Sequence, residues 1–182
     1  MIRFCDFTFS LFGLIILSPL FIVLLIIGYV DTKSPIFKQY RVGRERNSFM
    51  LFKFRSMDVN TGSVATHLVN QNAITSFGKF LRKTKLDELP QLWNVLIGDM
   101  SLVGPRPNLF NQEDLIQERS IRGVYKVRPG ITGLAQINEI DMSTPKLLAE
   151  KDAEMIANLN MANYFKYIFL TISGKGQGDR VK

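Results

Sequence analysis

The chain has 182 residues, 46% of them hydrophobic, and carries a net charge of +7 from 23 Lys and Arg against 16 Asp and Glu. That length suits one domain with attachments, and the basic excess suits phosphate-bearing ligands, nucleic acid or an anionic membrane. A single cysteine, Cys5, excludes an intrachain disulfide and a cysteine metal cluster, and is most simply a small hydrophobe.

The hydrophobic residues are unevenly placed. Phe7 to Val30 is a run of 24 residues without a charged side chain. As a straight helix it would reach about 36 Å, enough to cross a hydrocarbon core of about 30 Å. It is too long for the apolar part of a signal peptide, and no small-x-small cleavage site closes it. Ser18-Pro19 interrupts its middle. Proline removes a helix hydrogen bond and pushes its predecessor out of the helical region. The freed carbonyl is costly in lipid unless satisfied, and the Ser18 hydroxyl is placed to help. The two arms, 7–17 and 20–30, would each extend about 16 Å. A helix-break-helix that enters and leaves one leaflet fits, and so does a kinked full span. Lys33, Lys38, Arg41, Arg44 and Arg46 predict a cytoplasmic C-terminal side, and Arg3 favours keeping both ends there.

Residues 35–57 predict a β-hairpin, with Ile36–Val42 and Phe49–Met57 joined by the polar turn Gly43–Ser48. Lys53 and Arg55 would then share one strand face. Asp58 to Ala73 reads as a polar loop carrying the only histidine, His67, at the surface. Residues 76–84 predict a short amphipathic helix with Phe77, Phe80 and Leu81 on one face, suited to lipid headgroups or to packing on a core. Ile156 to Ile172 predicts a helix that is apolar nearly all round, and a charged, Gly-rich tail follows from Gly174.

The chemistry concentrates in Lys85-Leu86-Asp87-Glu88-Leu89-Pro90-Gln91-Leu92-Trp93-Asn94. Leu89, Leu92, Trp93 and Leu96 have helical spacing and predict a buried face. Proline is accepted only in a first turn, so the helix must begin close to Asp87. Both carboxylates would then sit where the helix dipole favours anions. Capping alone explains most such pairs. Here Lys79, Arg82, Lys83 and Lys85 lie just upstream. A carboxylate nucleophile aimed at phosphate meets like charge, which cations and a divalent metal relieve. Helix neighbours point about 100° apart, so Asp87 and Glu88 should have different roles. Further on, Pro105 and Pro107 fix the chain around Arg106, and Arg128 precedes a Pro-Gly turn. Either could be a structural turn. Together, Lys53/Arg55, Arg106 and Arg128 form three basic stations around one acidic pair, the layout expected for phosphoryl transfer.

These segments resemble the bacterial sugar transferases, which are monotopic polyprenyl-phosphate phosphoglycosyl transferases. The resemblance is carried by Ser18-Pro19, Lys53-Phe54-Arg55-Ser56-Met57, Leu86 to Leu92, Gly98-Asp99-Met100-Ser101, Gly104-Pro105-Arg106-Pro107 and Arg128 to Gly133, in that order. The chain is similar to the small members, a membrane segment plus a catalytic domain. The resemblance implies an α+β, mostly helical fold with an N-terminal re-entrant helix-break-helix over residues 1–30. A catalytic domain over residues 31–182 would carry a small β-hairpin and short interfacial helices. It implies that Asp87 attacks the β-phosphate of a UDP-sugar, that UMP leaves, and that undecaprenyl phosphate then takes the phosphosugar. Glu88 would hold magnesium with Asp87 or assist the acceptor. Lys53, Arg82 and Arg106 match phosphate-contact positions, with Arg55 and Arg128 as further substrate-binding candidates. The implied setting is the cytoplasmic face of a bacterial inner membrane, at the first step of glycan assembly such as capsule or O-antigen. Partners would be the UDP-sugar, undecaprenyl phosphate and membrane lipid, with a homodimer allowed and no nucleic acid.

Leu134-Ala135-Gln136-Ile137-Asn138 resembles members that handle N-acetylated amino sugars. The C-terminal region departs from the family in being short and rich in Asn and Met, so acceptor contacts are not transferred there. A non-enzymatic basic membrane scaffold would explain the apolar run and the charge, but not the placement of Asp87 and Glu88 among cations. Nucleic-acid binding finds no recognition motif.

Overall fold

A computed structural model describes residues 1–59, 61 and 73–176. His67, most of the Asp58–Ala73 stretch and the tail beyond residue 176 lie outside the described residues. Among those described are eight α-helices and four short strands.

Helices α1 (Ile2–Ile16) and α2 (Ser18–Thr32) meet at Leu17 with a 64° bend. No single helix among the described residues is long and apolar enough to cross a membrane, but this pair passes together. Much of its apolar surface faces away from the protein: Phe12, Ile16, Ile22, Ile26 and Val30 are all more than half exposed. Both ends of the pair attach to the same body. At the start of α1, Arg3 donates to the carbonyls of Val95 and Leu96. One turn on, the buried carboxylate of Asp6 accepts from Ser101 Oγ (3.0 Å), Leu102 N–H (2.9 Å) and Tyr164 O–H (2.8 Å). At the far end, Leu24 packs with Phe54 and Leu81, and Thr75 donates to Asp31 at 2.7 Å.

Strands β1 (Ile36–Val42) and β2 (Ser48–Phe54) form the expected antiparallel hairpin, with Phe37 opposite Lys53. β2 stops at Phe54 rather than Met57, because β1 has no residue left to pair beyond Pro35. The last rung is Arg55 N–H to the Pro35 carbonyl, 2.8 Å. Helix α3 (Ser76–Thr84) is capped by Thr75, which accepts from Gly78 N–H. It buries Leu81 against the hairpin and leaves Phe80 half exposed.

Helix α4 (Gln91–Ile97) lies between α1 and β2. Its buried face differs from the expected one: Gln91, Asn94 and Val95 point inward, and Trp93 is 50% exposed. Asn94 sets this rotation. Its amide accepts from Phe52 N–H (3.1 Å) and donates to the Met50 carbonyl (2.7 Å), like an extra rung on β2.

The two Gly/Pro-rich motifs meet as a parallel pair, β3 (Ser101–Val103) with β4 (Gly130–Thr132). Gly130 is required there, because a Cβ on it would stand 2.0 Å from the Gly104 nitrogen. Helices α5 (Glu113–Ile121), α6 (Leu134–Ile137), α7 (Pro145–Ala157) and α8 (Met161–Ile172) complete the fold. The single helix expected over 156–172 is thus two. Asn158 closes the first, and Asn160 starts the second by accepting from Asn163 N–H. Tyr164 and Tyr167 of α8 join Val103 and Met155 in the core, while Phe169 and Ile172 are exposed.

Candidate active site

Lys85 ends α3 in the left-handed conformation (φ 58°), and the chain reverses into a 3-10 turn over Leu86–Glu88. The carboxylates therefore precede α4 instead of opening it. Pro90 explains this: it has no N–H for the Leu86 carbonyl, so the α-ladder cannot extend back through it. The turn closes instead with Leu89 N–H to Leu86 O at 3.2 Å. Leu86 and Leu89 anchor it by packing on the Leu24–Phe54–Leu81 cluster.

Glu88 Oε1 accepts from Lys53 Nζ at 3.3 Å and from an Arg106 nitrogen at 3.0 Å. All three side chains are largely buried, with 14–17% of each exposed. Charge pairs out of water in this way are screened far less than surface pairs. Burial pushes the Asp87 carboxyl up to about 6. Lys53 opposes that rise, Glu88 adds to it, and Arg82 and Arg106 oppose it. Asp87 thus sits in the field of three cations and one other carboxylate. Lys85 is held below its ordinary value by burial, against the pull of Glu88.

The structure gathers Lys53, Arg82, Asp87, Glu88 and Arg106 but holds Arg55 and Arg128 elsewhere. Arg55 turns to the Ser34 carbonyl (2.8 Å) and over the Phe37 ring. Arg128 donates to the Gly98 carbonyl (2.7 Å) at the C-terminal end of α4. Arg82 is oriented by Ser56 Oγ at 2.9 Å.

Several residues that hold this site escape sequence reasoning. Asn94 ties α4 to β2, as described above. Arg119, 1% exposed, donates to the Arg106 carbonyl (2.8 Å), to Asn108 Oδ1 (2.9 Å) and to Asp152 Oδ2 (2.7 Å). It thereby fixes the backbone from which Arg106 reaches Glu88. Asn94 carried a faint signal, a polar residue within an apolar helix face. Arg119 carried none, since nothing local separates a buried arginine from an exposed one.

Among the described residues no three Asp, Glu, His or Cys side chains cluster as a metal site. The carboxylates that could serve as donors at this site are Asp87 and Glu88. That suits magnesium bound by one or two carboxylates with substrate phosphates supplying further oxygens, rather than an all-protein cage.

The family described as bacterial sugar transferase matches residues 1–176. The chain is 41% identical, over 93% of its length, to a UDP-glucose:undecaprenyl-phosphate glucose-1-phosphate transferase of Klebsiella pneumoniae, and spans 39% of that protein. It is 37% identical to the sugar transferase EpsL of Bacillus subtilis, spanning 84% of it. It is 36% identical to an undecaprenyl-phosphate galactose phosphotransferase of Salmonella typhimurium, and spans 39% of that protein.

Proposed function

The chain belongs to the bacterial sugar transferase family, and on that premise we propose that it transfers a sugar 1-phosphate from a UDP-sugar to undecaprenyl phosphate. The observation that carries this reading is a pair of carboxylates doing two different things. Glu88 is committed to Lys53 and Arg106, while Asp87 stands in the same cationic field with its pKa pushed to about 6. At neutral pH such a carboxyl is mostly ionised, yet it is less stabilised as an anion than a solvated one, which suits a nucleophile.

In the first step an Asp87 oxygen attacks the β-phosphorus of the UDP-sugar. The bond from that phosphorus to the bridging oxygen breaks, and its electron pair leaves with UMP. A phosphosugar remains on Asp87. In the second step an oxygen of undecaprenyl phosphate attacks the same phosphorus and the Asp87 carboxylate departs, giving undecaprenyl diphosphate sugar. Lys53, Arg82 and Arg106 neutralise the phosphate charge in both steps, where positioning and electrostatics supply most of the acceleration. Glu88 keeps Lys53 and Arg106 aimed at that space between turnovers. Magnesium held by Asp87 and Glu88 with the diphosphate would supply further charge neutralisation. Arg55 and Arg128 frame the site without reaching it.

The N-terminal pair supports a membrane setting. A full span would place Arg3 and Thr32 on opposite sides of a bilayer, yet both ends of the pair grip one body. That supports reading residues 1–30 as a re-entrant membrane segment; on the family resemblance, residues 31–182 are read as a catalytic domain at the cytoplasmic face of the inner membrane. The proposed donor is an N-acetylated amino sugar, on the resemblance of Leu134–Asn138. Leu134, Ile137 and Asn138 line a cavity of about 410 Å³ with Asn163 and Lys166, large enough for a monosaccharide. Lys175 on its rim accepts from Lys85, two residues before Asp87.

The test is UMP release from a panel of UDP-sugars, including glucose, galactose and their N-acetylated amino forms, with undecaprenyl phosphate and magnesium. Release that vanishes in Asp87→Asn, with a phosphosugar found on Asp87 by mass analysis, is expected. Full activity in Asp87→Asn would end the covalent proposal.

A further inference from the structure

Gln91 follows Pro90 and opens α4, one turn beyond Asp87. It is 3% exposed, yet its Nε2 has no hydrogen-bond partner. Native proteins seldom leave a buried amide N–H unmet, so such a group marks a place where something else belongs. The amide borders a cavity of about 10 Å³ whose wall also includes Lys53, Arg106, Arg41 and the Gly130 backbone. That space holds about one water-sized sphere. Lys53 and Arg106 are also the cations that grip Glu88. The charged groups around the cavity are all cations, and the amide adds a neutral donor. Such a space favours a single anionic oxygen over a cation or an apolar group.

We propose that Gln91 Nε2 donates to a non-bridging oxygen of the donor's diphosphate, seated in this one-oxygen cavity beside Lys53 and Arg106. Gln91 is then a substrate-contacting residue, and the inference rests on the reading of the site as a diphosphate-consuming one. Its position fits the role. An amide adds a directed hydrogen bond without adding charge, so it selects where the oxygen sits while the cations select that it is anionic. Pro90 locks its own φ directly before Gln91, and burial restricts the rotamer, so little freedom is lost when the oxygen arrives.

The experiment is calorimetric binding of inorganic pyrophosphate with magnesium to the full chain in lipid nanodiscs, alongside KM and kcat for UMP release. Wild type, Gln91→Met and the isosteric Gln91→Glu are compared, with unfolding midpoints showing that each is folded. Gln91→Met should bind pyrophosphate about 10-fold more weakly and raise KM more than it lowers kcat, the effect of one lost hydrogen bond to a charged group. Gln91→Glu keeps the shape and places an anion against the phosphate, so its affinity should fall by about 100-fold or more. Unchanged pyrophosphate affinity in a folded Gln91→Met, or wild-type affinity in Gln91→Glu, would overturn the contact. So would wild type that binds no pyrophosphate. Wild type that binds pyrophosphate in a Gln91-dependent way but releases UMP from no UDP-sugar would support the contact and refute the transferase reading.

Discussion

The Ser18 hydroxyl donates to the Ile15 carbonyl at 2.7 Å. Ile15 is four residues before Pro19, so it is the carbonyl that the proline leaves without its helical N–H. The break in the apolar segment thus carries its own repair, and α1 can bend into α2 without abandoning a polar group to lipid. Ser18→Ala should destabilise the protein in nanodiscs by about 1 kcal/mol. The double variant Ser18→Ala/Pro19→Ala should recover that loss, because residue 19 regains an N–H that reaches Ile15. Denaturant unfolding of the two variants checks this, and an equal loss in both would show that the hydroxyl is not serving that carbonyl. With no change at Ser18 or Pro19, an Ile2→Cys/Cys5→Ser variant should label only from the cytoplasmic side, since Arg3 and Asp6 hold that end to the catalytic body.

Asp87 links activity to stability with opposite signs. Its folded pKa of about 6 lies above the ordinary 3.8, because burial disfavours the anion. The folded state therefore holds this proton more tightly than the unfolded chain. Stability from this group is complete below about pH 4 and is lost as pH rises through 6. Asp87→Asn removes that loss. It should abolish UMP release and stabilise the protein at pH 7.5 by about 1–3 kcal/mol, at the lower end where solvent reaches the carboxyl. The gain should disappear near pH 4, which unfolding at both pH values would reveal. In wild type, kcat/KM should fall about tenfold per pH unit below about 6.

The same carboxyl reports on its neighbours. Lys53 lowers the Asp87 pKa and Glu88 raises it. Lys53→Met should therefore shift the acid limb of kcat/KM to higher pH, and Glu88→Gln should shift it to lower pH. Both variants should lose about 10²-fold or more in rate at pH 7.5, since each removes a charge that positions or neutralises phosphate. Limbs that move in the same direction in both variants would mean that general loosening, and not the charge on each residue, controls Asp87.

Local signals in the sequence reached far into this fold. Two β-rich runs around a polar, Gly-containing turn located the hairpin, the Phe77–Phe80–Leu81 face located α3, and Ser18-Pro19 located the bend. The basic stations were legible as composition, but only packing decides which of them converge. Lys53 and Arg55 alternate as a strand would have them, yet β2 ends at Phe54 and Arg55 closes on Ser34. Trp93 lay on the apolar stripe of α4, but Asn94 turns the helix so that its amide serves β2. The pairing of β3 with β4 joins residues about thirty apart through two glycines, and no periodicity reveals such a contact. Asp6 was equally hidden. It stands just before the uncharged run, and nothing local marks it as a buried acceptor for three donors.

Arg119 offers the sharpest separation between holding the fold and holding the site. It and Asp152 are each 1% exposed, paired at 2.7 Å, with burial raising the Asp152 carboxyl and Arg119 opposing that rise. Arg119→Met alone strands a buried carboxylate and should cost about 3–5 kcal/mol. Arg119→Met/Asp152→Leu removes both charges, and such replacements are often neutral or stabilising by about 1–4 kcal/mol. The Arg106 carbonyl nevertheless loses its donor in the double variant, so the guanidinium facing Glu88 is no longer fixed from behind. The double variant should unfold at or above the wild-type midpoint while kcat/KM for UMP release falls about 10-fold, the cost of a misplaced positioning group. Wild-type activity in a stable double variant would confine Arg119 to the core. Recovery of neither stability nor activity would place Asn108 and Tyr125, which share this network, among the groups the pair supports.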